Sequence, residues 1–288
     1  MDILHLSGMK GALVSAGAAR LTDRPAILHL HDMRRLKPGL RTPQRLASRR
    51  MSRTIVVSEP VRQFAMQEYG VPPERIEILP NGVRLDLFAT ASPEARGRVR
   101  RELGLDDATP VIGATGRLCP EKGHACLIRA LPMVRTRCPD AVLLIVGNGP
   151  TRAECESLVR RLALDGAVRF LGHREDIPDI LAAIDVVAVP SIWEEPFGHS
   201  ALEAIAAGRP VVAFLSEGLR QIVLDGSTGL LVPRGDTDRL AMSLSEVLTN
   251  VDLARKLGEG GRRHAQTFSI EQHARRLEQL YASAIPSF

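Results

Sequence analysis

Residues 194–214 read EEPFGHSALEAIAAGRPVVAF. Two acids precede a Pro-Phe-Gly turn, a short apolar helical stretch carries one further carboxylate, and Gly-Arg-Pro ends it before a β-branched run. Gly198 lets the backbone come close to a ligand with no side chain in the way. A helix starting at about His199 turns free N–H groups and the positive end of its dipole toward an anion. Glu203 falls one turn inside that helix, among Ala201, Leu202, Ala204, Ile205, Ala206 and Ala207. Its carboxylate must reach a polar edge. An ionised carboxylate only accepts hydrogen bonds, and a pair of sugar hydroxyls would satisfy both its oxygens. Glu195, at the strand end, could touch the other half of the same ligand. On spacing alone the alternative is a solvent-facing Glu203, with Glu195 paired to a nearby arginine.

Outward from this stretch, short β-branched runs alternate with helical patterns. The strands expected from residue 110 on are 110–115, 141–146, 168–171, 185–190, 210–214 and 229–232, with helices beginning near 122, 151, 175, 199, 216 and 236. Continuous apolar strands separated by helices predict a parallel sheet covered on both faces. In such sheets ligands bind beyond the carboxyl ends of the strands, near a topological switch point. The first hundred residues repeat the alternation more thinly. Strands are expected at 26–31, 53–58 and 75–79, with a fourth over 2–6, and helices at 10–20, 41–50 and 59–69. PNGV (80–83) is a turn. A helix over 92–103 has Ser92 as N-cap and Pro93 in its first position, and two helices close the chain near 251–267 and 269–284.

Composition narrows the classes. The chain has 288 residues, enough for two modest domains, with 44% apolar residues. It contains no 18-residue apolar run, and MDILHLSGMK is not a secretory leader, so a cytoplasmic location is expected. Cys119, Cys126, Cys138 and Cys155 form no C-x-x-C pair and read as free thiols. The net charge of +5 is dispersed, and 3% aromatic residues are too few for base-stacking platforms, which argues against nucleic acid. A mildly basic face could instead meet anionic lipid headgroups or phosphorylated substrates. Lysine is scarce (Lys10, Lys37, Lys122 and Lys256), so Lys122 beside Arg117 in the loop after strand 110–115 is notable. Two cations there can neutralise a diphosphate leaving group. Gly147-Asn148-Gly149 begins a dinucleotide-type fingerprint, but Arg152 stands where its third glycine belongs, which rejects a nicotinamide dehydrogenase. Asp236-Thr237-Asp238 resembles a metal motif, yet its place after a strand suits a helix cap.

Glu195, seven intervening residues and Glu203, inside E-P-F-G-x-x-x-L-E-A-x-A-x-G-x-P-V-V, resemble the signature of the retaining glycosyltransferases of family 4. So do GRLCPEKG (116–123), VGNGPTRAECESL (146–158), VRFLGHRED (168–176), DVVAVPS (185–191), DGSTGLLVPRGD (225–236), VVSE (56–59) and PNGV (80–83), in order and spacing. The resemblance implies the GT-B fold: two Rossmann-like, doubly wound parallel-sheet α/β domains. Here they would be a partial N-terminal acceptor-side domain over 1–106, a donor-binding domain over 107–269, and a helix at 270–288 packing back on the first. It implies transfer of a sugar from a nucleotide-diphosphate-sugar substrate, with no cofactor and no metal, to an acceptor such as a lipid-linked or polysaccharide hydroxyl, with retention of anomeric configuration.

Residue by residue, the resemblance implies that Arg117 and Lys122 hold the diphosphate, Glu195 orients the donor sugar, and Glu203 holds the ribose hydroxyls. Backbone at Phe197, Gly198 and His199 would contact sugar or diphosphate. Gly116, Gly147, Gly149, His173, Arg174 and Leu202 would line the donor site, and His31, in HLHD, would face the sugar from the first domain. His29, alternating with His31, is expected on the other side of the strand. The chain departs from the family pattern at Glu217 (a glycine in many members), Gln221 (a carboxylate) and Arg84 (an aspartate), and its first domain is expected to begin part-way through. The other expectations are a nucleotide-sugar-binding fragment or subunit without catalysis, and a sugar-nucleotide epimerase. The intact E-P-F-G…L-E-A and G-R-L…K-G stretches favour the transferase.

Overall fold

The computed structural model describes residues 3–284 except Asp23, Leu36 and 90–91, and leaves aside the side chains of 16–22, Pro38 and Ala89. The chain divides into two compact units, 1–82 with 268–288, and 83–267.

In the first unit, β1 (Leu4–Ser7), α1 (Gly8–Thr22), β2 (Ala26–Leu30), α2 (Arg41–Arg49), β3 (Arg53–Val56), α3 (Glu59–Tyr69) and β4 (Ile76–Ile78) alternate along the chain. The four strands form one parallel sheet in the order β1-β2-β3-β4. Ser58 caps α3 by accepting from the Val61 N–H at 3.4 Å, and Gly70 ends it in the left-handed region.

The second unit opens with α4 (Leu85–Ala89) and α5 (Pro93–Glu102). It continues through β5 (Val111–Thr115), α6 (His124–Arg137), β6 (Val142–Val146), α7 (Arg152–Arg161), β7 (Val168–Gly172), α8 (Ile177–Ala183) and β8 (Val186–Val189). Then come α9 (His199–Ala206), β9 (Val211–Phe214), α10 (Glu217–Arg220), β10 (Gly229–Val232), α11 (Thr237–Thr249) and α12 (Val251–Ala265). Its six parallel strands lie in the order β10-β9-β8-β5-β6-β7. The order reverses between β5 and β8, which is the switch point where an open α/β sheet leaves a crevice. The core is built from the strand residues and the inward faces of α6, α7, α11 and α12, including Ile112, Leu143, Val186, Leu131, Leu244 and Leu257. Ser92 caps α5 (Ala95 N–H at 3.2 Å), Asp236 caps α11 (Arg239 N–H at 2.9 Å) and Asn250 caps α12 (Leu253 N–H at 3.0 Å). α13 (Ile270–Ala284) returns to the first unit, where Leu280 packs with Ile27, Ile55 and Leu79.

The unit boundaries fall at 82/83 and 267/268, instead of near 106/107 and 269/270. The reason lies in α5. Arg98 pairs with Asp179 at 2.6 Å, Arg96 and Arg100 pair with Asp185 at 2.9 Å each, and both of these also reach carbonyls at Ala182 and Ala183. These bonds tie α5 to α8 and the start of β8. The helix α4, directly after PNGV, has no counterpart in the sequence expectation. All four cysteines are free. Among the described residues no helix is long and apolar enough to cross a membrane.

Candidate functional site

The loops that leave β5 and β8 meet beyond the carboxyl ends of those strands. Gly123 makes the meeting possible. Its φ is +65°, and a Cβ there would overlap the carbonyl oxygen of Pro190. The Ile192 N–H also donates to the Glu121 carbonyl at 2.9 Å. This seats the loop 119–123 on the segment that follows β8 and delivers Lys122 to Glu195. The Lys122 Nζ donates to Glu195 Oε1 at 2.6 Å, and the Ser191 hydroxyl donates to the same oxygen. The carboxylate is 3% exposed and the ammonium 28%, so the acid is buried and the cation reaches toward solvent. Glu195 is therefore paired, as one reading of the spacing allowed, but with Lys122 and not with an arginine. Its Oε2 has no hydrogen-bond partner among the described residues. Arg117 is exposed, and its guanidinium makes no hydrogen bond or ion pair among the described residues.

Past Glu195 the chain turns through buried Pro196 and Phe197 to Gly198, with φ +98°, and enters α9. Glu203 is largely enclosed, and its carboxylate makes no hydrogen bond or ion pair among the described residues. Burial alone pushes its pKa up to about 7, because a poorly hydrated carboxylate favours the neutral form. Glu203 is thus not the solvent-facing acid that the alternative required.

The remaining expected residues separate into different environments. Gly116 has φ +139° and open space where a side chain would project. At Gly147 and Gly149 a Cβ would overlap the carbonyl oxygens of Gly116 and Leu118. These two glycines let the loop after β6 lie on the loop after β5, a contact closed by Leu118 N–H to Asn148 O at 3.0 Å. Leu202 is 0% exposed, so its side chain packs in the core. Phe197 is likewise interior, which leaves only its backbone for a ligand. His199 is exposed, its ring edge-on to Phe197 with centroids 5.4 Å apart. His173 is exposed. Arg174 is committed to Glu102 at 2.6 Å and Asp176 at 2.7 Å, and these carboxylates raise its pKa. It clamps the loop after β7 to α5.

His31 belongs to the first unit. Its Nδ1 lies 3.2 Å from Asn81 Oδ1, and its ring centroid is 4.0 Å from that of His29. The expectation that His29 faces away is corrected: positions two apart share one face of an extended strand, and the two rings lie side by side at the end of β2. His29 also contacts His5, which meets the Tyr281 hydroxyl at 2.6 Å. Burial first, and then the neighbouring His31, His5 and His273, push the His29 pKa down to about 3. Among the described residues no three His, Cys, Asp or Glu side chains are grouped to hold a metal ion.

Residues 95–264 match the family of glycosyl transferases group 1, and residues 1–87 match Glycosyltransferase Family 4. The chain is a member of this glycosyltransferase family. It is 36% identical, over 96% of its length and 74% of the relative, to the GDP-mannose-dependent monoacylated alpha-(1-6)-phosphatidylinositol monomannoside mannosyltransferase of Corynebacterium glutamicum. It is 32% identical, over 99% of its length and 72% of the relative, to a D-inositol 3-phosphate glycosyltransferase of the same species. Among solved structures, Anabaena Alr3699/HepE in complex with UDP-glucose has TM-score 0.88 at 29% identity, covering 98% of this chain and 79% of that one. The two parallel-sheet α/β units are those of the GT-B fold.

Four residues of this glycosyltransferase that shape the site carry no expectation from the sequence. Ser191 shares an oxygen of Glu195 with Lys122. Glu194 accepts from the Gly218 N–H at 3.1 Å and pairs with Arg234 at 2.6 Å, tying α10 and the loop after β10 to the Pro-Phe-Gly turn. A Cβ on Gly218 would overlap the Glu195 carbonyl. The glycine needed for close approach therefore stands at 218, while Glu217 turns outward to pair with Arg220 at 3.0 Å. DVVAVPS places Ser191 one residue past a strand, a signal that could have been used. The Glu194–Arg234 pair, 40 residues apart, leaves no local trace.

Proposed function

We propose that this glycosyltransferase moves a hexose from a nucleotide-diphosphate-sugar donor to an acceptor hydroxyl with retention at the anomeric carbon. The observation that carries the reading is Lys122 held on buried Glu195 beside the turn into α9, with an unpaired Glu203 one turn further on. Arg117 and Lys122 neutralise the departing diphosphate, aided by the amino end of α9. Glu203 accepts from the ribose hydroxyls. Glu195 positions Lys122 through Oε1 and offers Oε2 to a sugar hydroxyl. In a front-face displacement the bond from the anomeric carbon to the phosphate oxygen breaks. The acceptor oxygen bonds to the same face, and its proton passes to the departing phosphate oxygen. No metal and no cofactor takes part.

The relatives' names support an acceptor carrying a phosphoinositol group. They support GDP-mannose and, from the Anabaena structure, UDP-glucose as the donors to try first. Exposed Arg41, Arg45, Arg49 and Leu46 on α2 support contact between an anionic membrane face and the first unit, on the cytoplasmic side. Co-sedimentation with phosphatidylinositol vesicles that vanishes in neutral phosphatidylcholine vesicles is the expected result, and equal partitioning refutes the contact. Transfer is tested by incubating the chain with each donor and with inositol 3-phosphate or phosphatidylinositol mannoside. Product mass and the anomeric coupling constant are then read. Inversion refutes the stereochemistry; binding of both nucleotides with no turnover of any pair refutes the transferase reading and leaves a binding protein.

A further inference from the structure

The opposite end of the second unit's sheet, where β5, β8 and β9 begin, holds a cavity of about 420 Å³. Sugar transfer at the other end makes no use of it. Its polar wall contains Arg96, Asp185 and Arg209, and its apolar wall contains Val247, Leu248 and Val251. The polar wall is unevenly satisfied. Asp185 accepts from Arg96 at 2.9 Å with one oxygen, and from Arg100 (2.9 Å) and the Val111 N–H (2.8 Å) with the other. Arg100 is further bonded to the carbonyls of Asp106, Asp107, Thr109 and Ala183.

Arg209 has no such partners. Among the described residues its guanidinium makes no hydrogen bond or ion pair, and its Nε is shut off from solvent with its donor unused. The root of the side chain is fixed, because the Arg209 N–H donates to the Ala204 carbonyl at 2.8 Å and Pro210 follows. Burial and then the positive charge of Arg96, with smaller contributions from Arg262 and Arg100 and Asp185 opposing, push its pKa down to about 10. A half-buried cation without a counter-ion is costly, and an anion able to take several N–H groups at once relieves that cost.

We propose that this cavity is a second site, for a phosphate group, free or as a phosphomonoester, gripped by the Arg209 fork with Arg96 beside it. A tetrahedral oxyanion can accept from the two Nη groups of one guanidinium while meeting a second cation, which suits this wall. The apolar wall provides room for the carbon body of a monoester.

The test is calorimetric titration of the full chain with inorganic phosphate and with glycerol 3-phosphate. It is run on the wild type, Arg209→Gln, Arg209→Lys and Lys122→Ala. The expected result is a rise of tenfold or more in Kd for Arg209→Gln, a smaller rise for Arg209→Lys, and little change for Lys122→Ala. Tighter binding of glycerol 3-phosphate identifies a monoester as the ligand, and equal binding identifies phosphate itself. Unchanged affinity in Arg209→Gln overturns the proposal, as does a loss confined to Lys122→Ala, which would put the anion at the other end of the sheet. Should the Arg209 variants not fold, phenylglyoxal modification of the wild type read by peptide mass gives the answer. Phosphate should protect Arg209, and equal labelling with and without phosphate overturns the site.

Discussion

With Glu203 on the ribose as proposed, nucleotide affinity is expected to depend on pH, and the size of the effect follows from its burial. Its pKa is pushed up to about 7 in the free protein, and only the ionised form can accept from two ribose hydroxyls. If the neutral form binds weakly, affinity scales with the ionised fraction. That fraction is about one eleventh at pH 6 and about ten elevenths at pH 8, a tenfold change in Kd or about 1.4 kcal/mol. Affinity therefore rises with pH. The phosphates of the nucleotide also titrate near about pH 6, so the control is Glu203→Gln, which keeps that contribution and removes the carboxylate. Isothermal titration of UDP and GDP at pH 6 and pH 8 is expected to give the tenfold slope in wild type only. Stability should move the opposite way. The folded pKa lies above the ordinary 4.5, so folding costs nothing extra below pH 4.5 and progressively more as pH rises to 7, with an upper bound of about 3 kcal/mol. Glu203→Gln is thus expected to raise Tm at pH 8 and leave it unchanged at pH 4. A flat wild-type affinity profile, or the same slope in Glu203→Gln, refutes the assignment of Glu203 to the ribose.

Gly123→Ala combines a positive φ with overlap onto the Pro190 carbonyl. It is expected to cost about 2–3 kcal/mol in urea unfolding and to abolish nucleotide binding by displacing Lys122, and retained affinity would show that the loop is not needed. Ser191→Ala removes one of the two donors on Glu195 Oε1. Loss of a buried charge-assisted hydrogen bond of about 1.5–3 kcal/mol is expected to weaken nucleotide-diphosphate binding about tenfold in the same calorimetric assay, with far-ultraviolet circular dichroism unchanged. Arg100→Met removes one of the three donors to Asp185 and the side-chain donor to four backbone carbonyls. It is expected to destabilise by about 3–5 kcal/mol in urea unfolding, and a loss under 1 kcal/mol would refute a structural role for this fully buried guanidinium.

The strands and helices were legible because their period and their caps are local. The β-branched runs 110–115, 141–146 and 229–232 needed no partner to be recognised, and Ser92 and Asp236 announce the helices they cap. The short α4 has only five residues, too few for a helical period, and follows a turn that says nothing of what comes next. Side-chain alternation puts positions two apart on one face of a strand, so His29 and His31 belong together, and the expectation of opposite sides ran against that period. The division of the chain was misplaced for a related reason. GLDDAT at 104–109 looks like a linker, yet Arg96, Arg98 and Arg100 fasten the helix before it to residues about 80 positions later. Long-range ion pairs decide such boundaries, and residue type alone does not name the partner.

The candidate site shows the same limit in a sharper form, through its glycines. A Gly-rich motif in an α/β sheet is naturally read as room for a ligand. Here Gly123, Gly147, Gly149 and Gly218 are each required because one loop's backbone lies directly on another's, and a Cβ at any of them would strike a carbonyl oxygen. Gly116, by contrast, opens onto free space. The glycines therefore act on the ligand indirectly. They bring the loops after β5, β6, β8 and β9 into one packed rim, and that rim holds Lys122 on Glu195. Leu202 and Arg174 stand in the same motifs, where the Leu202 side chain packs in the core and Arg174 pairs with Glu102 and Asp176. The groups proposed to act on the donor, Arg117, Lys122, Glu195 through Oε2, and Glu203, all keep hydrogen-bonding capacity unused among the described residues. Unused capacity on a side chain held in place by its neighbours, more than membership of a motif, marks the atoms available to a donor.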